Sequence, residues 1–150
     1  MIDRRKMLLQ SIGVIGMVTL TGPIAFANDA IIVYKSPTCG CCNAWIDHLQ
    51  AAGFSVRARN VADMTSIKTR HGVPVSMRSC HTAIVGEYVI EGHVPADDIR
   101  RLLDEGQQVA GLAVPGMPAG SPGMEMTGHQ DQYTVWSFSG DRVEAFAQHN

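Results

Sequence analysis

No stretch of this chain is apolar for long enough to cross a membrane, and no part of it is strongly basic. The longest apolar run, Met7 to Leu20, is interrupted by Gln10, Ser11 and Thr19. At about 14 residues it falls short of the roughly 20 that a spanning helix requires. Lysine and arginine total 12 against 14 aspartate and glutamate, a net charge of −2 with histidine neutral. A mildly acidic chain without a basic stripe argues against nucleic acid as a partner. Also missing are a phosphate-binding loop, a nucleophile–base pairing and internal repeats. The 150 residues suffice for one domain and are too few for two.

The N-terminal run reads as an export signal and is set aside before fold reasoning. Arg4, Arg5 and Lys6 make a basic n-region, Pro23 breaks the apolar run, and Ala25-Phe26-Ala27 is an A-x-A cleavage site. Arg4-Arg5 followed by Lys6-Met7-Leu8 resembles a twin-arginine signal; the plainer alternative is an ordinary signal that contains two arginines. Cleavage after Ala27 leaves residues 28–150 as the mature domain. It removes Asp3 together with Arg4, Arg5 and Lys6, which takes the net charge from −2 to −4.

Cysteine is scarce, and what there is lies in the mature part: Cys39, Cys41, Cys42 and Cys80. An even count in an exported chain first suggests disulfides. Three of the four sit within four residues, however, and would close only tiny loops, where cross-linking has least entropic effect. A chain of this length also buries a core without staples. The clustering favours chemistry over scaffolding.

Hydrophobic periodicity predicts the elements. Ile31-Ile32-Val33-Tyr34 reads as a buried strand. Cys42, Trp45, Ile46 and Leu49 recur at helical spacing, so residues 40–52 form an amphipathic helix stopped by Gly53. Phe54 to Val61 alternates as a second strand, and Met64 to His71 is a short helix. His81 to Val85 and Tyr88 to Ile90 pair across a tight turn at Gly86-Glu87. Pro95 starts a helix through Asp104 with Ile99, Leu102 and Leu103 inward. From Ala110 to Gly128 glycine and proline are so dense that no regular element is expected. A terminal hairpin follows, Tyr133 to Phe138 and Val143 to Phe146. The order β-α-β-α-β-β-α is that of an α/β, thioredoxin-like variant, extended by a Gly/Pro/Met-rich loop and a C-terminal β-hairpin. It places the cysteine cluster at the turn from strand 1 to helix 1.

Thr38-Cys39-Gly40-Cys41-Cys42 contains a C-x-C, a C-x-x-C and a vicinal pair. At a helix start the free backbone N–H groups and the helix dipole stabilise thiolate, the form that both attacks disulfides and binds metal. Cys39 and Cys42 alone would serve a periplasmic thiol–disulfide oxidoreductase. Cys41 is superfluous to that task, and a third thiolate suits a soft metal: Cu(I), zinc or an iron–sulfur cluster. Cys80 precedes strand 3, where a thioredoxin-like fold brings the entering loop against the strand 1 to helix 1 turn; the plain alternative is a buried inert thiol. His81 beside it is an accessory ligand or a structural histidine, and a regular strand would turn it away from Cys80. Met117, Met124 and Met126 lie in the Gly/Pro loop, where core packing explains them less well than on a periodic helix. A thioether there is a soft ligand for Cu(I) or a shield against water; apolar packing of the loop is the alternative. Of the other histidines, His48 is expected to face solvent, His71 to sit at a helix C-terminus, His93 in a turn and His149 in a frayed tail. His129 is a weak ligand candidate. Asp97, Asp98, Asp104 and Glu105 read as a solvated helix face.

These strings also carry a resemblance. Val33 to Cys42, with Trp45, His48-Leu49 and Gly53-Phe54, is similar to the CopG-type copper-resistance family of Gram-negative bacteria. So are Gly72-Val73-Pro74, Ser79 to Ala83, Val89 to Ala96, Gly111 to Pro118 and Gly120 to Glu125. The resemblance covers nearly all of residues 28–150. It implies a thioredoxin-like variant fold and a periplasmic role in copper tolerance. It also implies a cysteine-bridged site for several copper ions built from Cys39, Cys41, Cys42 and Cys80, with redox cycling between Cu(I) and Cu(II). Partners would be copper ions and copper-efflux or other periplasmic copper proteins. A structural zinc site is the less favoured metal reading.

Overall fold

A computed structural model describes residues 30–150, so the export-signal segment lies outside the described residues. The elements run β1 (Ile31–Lys35), α1 (Gly40–Ala51), β2 (Val56–Asn60), α2 (Met64–Arg70), a single 3-10 turn (Val75–Met77), β3 (Thr82–Val85), β4 (Tyr88–Glu91), α3 (Ala96–Glu105), β5 (Gly111–Ala113), β6 (Tyr133–Ser139) and β7 (Arg142–His149). The seven strands form one sheet in the order β2-β1-β3-β4-β5-β6-β7. β1 and β2 are parallel across the α1 connection, as are β4 and β5 across α3, and the remaining neighbours are antiparallel. The expected mixed α/β class is observed.

Alternation of side chains across the sheet gives it two apolar faces. Ile31, Val33, Ala83, Val85, Ile90, Leu112 and Val135 face Trp45, Ile46 and Leu49 of α1 and Ile99 and Leu102 of α3. Val89, Ala113 and Phe138 face the other way, toward Val73 and Met77. The buried positions of α1 are Cys42, Trp45, Ile46 and Leu49, the i, i+3, i+4, i+7 set of the sequence. One of the reactive cysteines is thus anchored by the same stripe that packs the helix.

Three expectations need correction. The segment from Ala110 to Gly128 was expected to hold no regular element, yet β5 lies inside the sheet between β4 and β6. A Cβ at Gly111 would stand 1.9 Å from the Val89 carbonyl oxygen, so this glycine permits close strand approach rather than breaking the chain. Asp98 is not on a solvated face: it is buried and accepts a hydrogen bond from His149 Nε2 at 2.7 Å. His149 therefore belongs to β7, stacked on Tyr133, and not to a frayed tail.

Candidate metal site

The turn from β1 to α1 sets out three of the cysteines. The Cys39 N–H bonds to the Ser36 carbonyl at 3.2 Å, which closes the turn. Cys39 is the N-cap with extended backbone, and no side chain caps the helix. The first N–H groups of α1 are thus free to face sulfur. Cys42 falls on the buried stripe, while Cys41 is half-buried one step around the helix. Cys39 and Cys42 are joined as a disulfide; Cys41 and Cys80 are free thiols. The bridge spans only three residues of sequence, so it adds little as a staple, and opening it costs two electrons. Cys39 and Cys41 sulfurs lie 3.5 Å apart.

Cys80 reaches this cluster from the β3–β4 hairpin. The sulfurs of Cys39, Cys41, Cys42 and Cys80 all lie within 4.8 Å of one another, and Cys80, His81 and His93 form a second group with the same spacing. Cys80 Sγ is 3.2 Å from His81 Nδ1 and 3.1 Å from His93 Nε2. It is the shared corner of a sulfur group and an imidazole group.

Strand alternation would send His81 away from Cys80. The two nevertheless meet, because the His81 ring turns back along the chain and brings Nδ1 to the Cys80 sulfur. His93, expected only to occupy a turn, is the residue that the sequence reading missed. A two-residue turn at Gly86-Glu87 pairs Val85 with Tyr88 and Thr82 with Glu91. Two steps further out the same register sets Cys80 opposite His93, and directly opposed residues share a face. The turn was recognised; continuing its register past the strand ends would have found His93.

The electrostatics suit metal. Both imidazoles are buried. Burial, then the His93 ring, then Lys68 hold His81 well below the usual histidine range. Burial, above all, also lowers His93. Neutral imidazole is the form that binds metal. His93 Nδ1 lies 2.7 Å from the Pro122 carbonyl, to which it donates, so Nε2 keeps its lone pair toward Cys80. Burial and the adjacent Cys41 sulfur push the Cys80 thiol up to about 12. Without metal Cys80 is therefore a neutral thiol, and a bound cation must displace its proton. His81 Nε2 is a buried donor or acceptor without a partner among the described residues. The four sulfurs and two imidazoles thus fit a soft metal.

The Gly/Pro loop covers this corner with its backbone. Besides the Pro122 carbonyl on His93, a Cβ at Gly123 would stand 2.7 Å from Trp45 N and 2.8 Å from the Cys41 carbonyl oxygen. The Ser79 hydroxyl donates to the Gly116 carbonyl. Met117 and Met126 are 52% and 60% exposed, and Met124 is half-buried. His129 pairs with Asp131 at 3.0 Å on the surface. His48, expected in solvent, is half-buried, and its Nε2 accepts the Ala96 N–H at 3.1 Å at the start of α3. His71 follows α2 as its C-cap, against Tyr34.

Known proteins resemble this chain. Residues 77–124 match a family described as a protein of unknown function, DUF411. No protein with a curated description matches. Two solved structures do. "Copper resistance protein copG- Form 2" is 46% identical, over 81% of this chain and 98% of that one, with a TM-score of 0.76. "Copper resistance protein copG- Form 1" is 48% identical, over 80% and 96%, with the same TM-score of 0.76. The chain belongs to the family of the copper resistance protein CopG.

Proposed function

We propose that this chain is a periplasmic copper-binding protein of copper resistance. Copper is its cargo, held at a cysteine-bridged site on Cys39, Cys41, Cys42 and Cys80 and cycled between Cu(I) and Cu(II). The observation that carries the reading is the convergence of all four sulfurs within 4.8 Å, drawn from two segments far apart in sequence. A dithiol reductant, itself left as a disulfide, supplies the two electrons and two protons that open the Cys39–Cys42 bridge and complete the set of four thiols. His81 and His93 add neutral nitrogen donors on the Cys80 side, and a donor set mixing thiolate with imidazole accommodates both copper oxidation states. An accessory thioether would come from Met117, Met124 or Met126, on a loop that contacts the site through Pro122 and Gly123. We read the parallel β1–α1–β2 unit with the antiparallel β3–β4 pair as a thioredoxin-like variant. Cleavage after Ala27 would release residues 28–150 into the periplasm, where efflux or other copper proteins exchange the metal.

Metal analysis and thiol titration of mature protein, purified without chelators from copper-supplemented cells, test the reading. More than one copper per chain is expected, with thiols protected until the metal is stripped. Cys41→Ser and Cys80→Ser each lower the metal content, and N-terminal sequencing of the periplasmic protein begins at Asn28. A single redox-silent zinc in a closed tetrahedron, or no metal with a persistent Cys39–Cys42 bridge, overturns it.

A further inference from the structure

Beside the site lies a buried ion pair that the metal chemistry does not use. Lys68 on α2 reaches Glu91 on β4, Nζ to Oε1 at 2.5 Å, with side chains 7% and 0% exposed. Taking two charges out of water offsets much of their attraction, and a well-packed apolar pair in their place is often as stable or more so. Stability alone does not account for the pair. The groups that its carboxylate accepts are more informative. Glu91 Oε1 also takes the Ser79 backbone N–H at 2.6 Å, and Oε2 takes the Thr82 hydroxyl at 2.7 Å. Lys68 Nζ donates in turn to Thr82 Oγ1 at 3.1 Å.

Ser79 and Thr82 are the residues on either side of Cys80-His81. Cys80 itself lies just outside β3, where the ladder is reduced to the bond from the Gly92 N–H to the His81 carbonyl at 3.0 Å. Glu91 is the last residue of β4, two before His93. One carboxylate thereby ties the segment that bears Cys80 to the strand that leads into His93, and Lys68 locks that carboxylate from the opposite side. Hydrogen bonds to an ionised acceptor are shorter and stronger than neutral ones, which suits a clamp.

We propose that Lys68 and Glu91 are positioning residues of the metal site, holding the Ser79–Thr82 segment so that Cys80 faces both the cysteines of α1 and His93. The proposal rests on the copper reading for its purpose, but its geometry is testable without metal.

The test is the paired substitution Lys68→Met with Glu91→Leu, which replaces the ion pair by apolar side chains. The metal-free measurement uses reduced protein carrying Cys39→Ser, Cys41→Ser and Cys42→Ser, so that Cys80 is the sole thiol. The paired substitution is expected to speed its alkylation by iodoacetamide several-fold, as the segment loosens and exposes the sulfur. In the chain with all four cysteines, anaerobic Cu(I) competition is expected to show affinity lowered about 10- to 100-fold, the usual effect of losing an outer partner of a ligand. In a Cys80→Ser background the same pair of substitutions should cost nothing further, because the ligand it positions is already gone. A general structural role would lower affinity equally with and without Cys80. Equal losses in the two backgrounds, or a folded variant with unchanged alkylation and affinity, overturn the proposal. If the paired variant does not fold, Thr82→Val, which keeps the ion pair and removes the hydroxyl link, is read by the same two assays with a smaller shift expected; no shift overturns it. Should the unaltered protein bind no Cu(I), the copper reading fails while the alkylation assay still decides the clamp.

Discussion

Replacing Gly123 by alanine asks whether the Gly/Pro loop is held down on the start of α1. Gly123 has φ +85°, a left-handed conformation that costs an L-residue roughly 1–2 kcal/mol. The added Cβ would stand 2.7 Å from Trp45 N and 2.8 Å from the Cys41 carbonyl oxygen. Both are backbone atoms of α1 and cannot rotate aside. Reaching ordinary contact near 3.5 Å requires the loop to lift by somewhat under ~1 Å. That movement carries Pro122 away from His93 Nδ1, now 2.7 Å distant, and a weakened hydrogen bond of this kind costs about 0.5–1.5 kcal/mol. The total is about 1.5–3.5 kcal/mol. Gly128→Ala is the control: φ is +78° and nothing lies within 4 Å of its Cβ, so it carries the backbone cost alone. Urea unfolding of the metal-free variants should place Gly123→Ala below Gly128→Ala by about 1 kcal/mol or more. NMR should show the His93 Nδ1 proton exchanging faster only in Gly123→Ala. Equal destabilisation of the two variants, with that proton still protected, would refute the account of the loop as a cover seated by its backbone.

Other perturbations give separate checks. Trp45→Phe removes the indole donor that meets the Val94 carbonyl at 2.9 Å; leaving that buried acceptor unpaired should cost about 1–3 kcal/mol by thermal or urea unfolding. Asp98→Ala strips the buried partner of His149 and should cost on the order of 1–2 kcal/mol, with Asp98→Asn milder because its amide oxygen still accepts from Nε2–H. Burial, with Asp98 and Glu125 nearby, pushes the Tyr133 phenol up to about 12. The unfolded chain ionises nearer 10 and so loses its proton first as pH rises. Stability from this group is therefore intact below pH ~10 and falls between ~10 and ~12. The tyrosinate absorbance of the native protein should lose its latest step in Tyr133→Phe.

Local pattern was readable where local chemistry decides structure. The stripe Cys42, Trp45, Ile46 and Leu49 predicted both α1 and its buried side, and the Gly86-Glu87 turn predicted the β3–β4 hairpin. What stayed hidden depends on approach between distant segments. Gly111 looks like a breaker until Val89 is known to press against it. Asp98 looks like one more surface acid until β7 brings His149 to it, 51 residues later. His48 looks solvent-facing until α3 presents Ala96 N–H. Lys68 and Glu91 gave no signal as a pair, since a buried ion pair needs a topology before it needs a motif. The candidate site was legible in its sulfurs because three fall within four residues; its nitrogens required the hairpin register.

The charge balance around the sulfurs also bears on how copper would be held. Four thiolates around a single Cu(I) leave three uncompensated negative charges. Lys68, the buried lysine of the neighbouring network, is already paired with Glu91. His81 and His93 are held neutral by burial and offer no positive charge. The Cys80 thiol, raised by burial and by Cys41, resists adding a further anion unless a cation arrives with it. The uncapped N–H groups at the start of α1 offset part of this charge, and further cargo ions are the other source of compensation. Sulfurs shared between several coppers lower the negative charge per site without any rearrangement of the protein, which is why the proposed function places more than one ion among these four cysteines. It also makes the order of loading cooperative in sense: each cation that binds lowers the cost of deprotonating the next thiol. Proton release per copper, followed by pH-stat at about pH 10, above the ordinary cysteine range, as Cu(I) is added to reduced protein, should therefore be largest for the ion that engages Cys80.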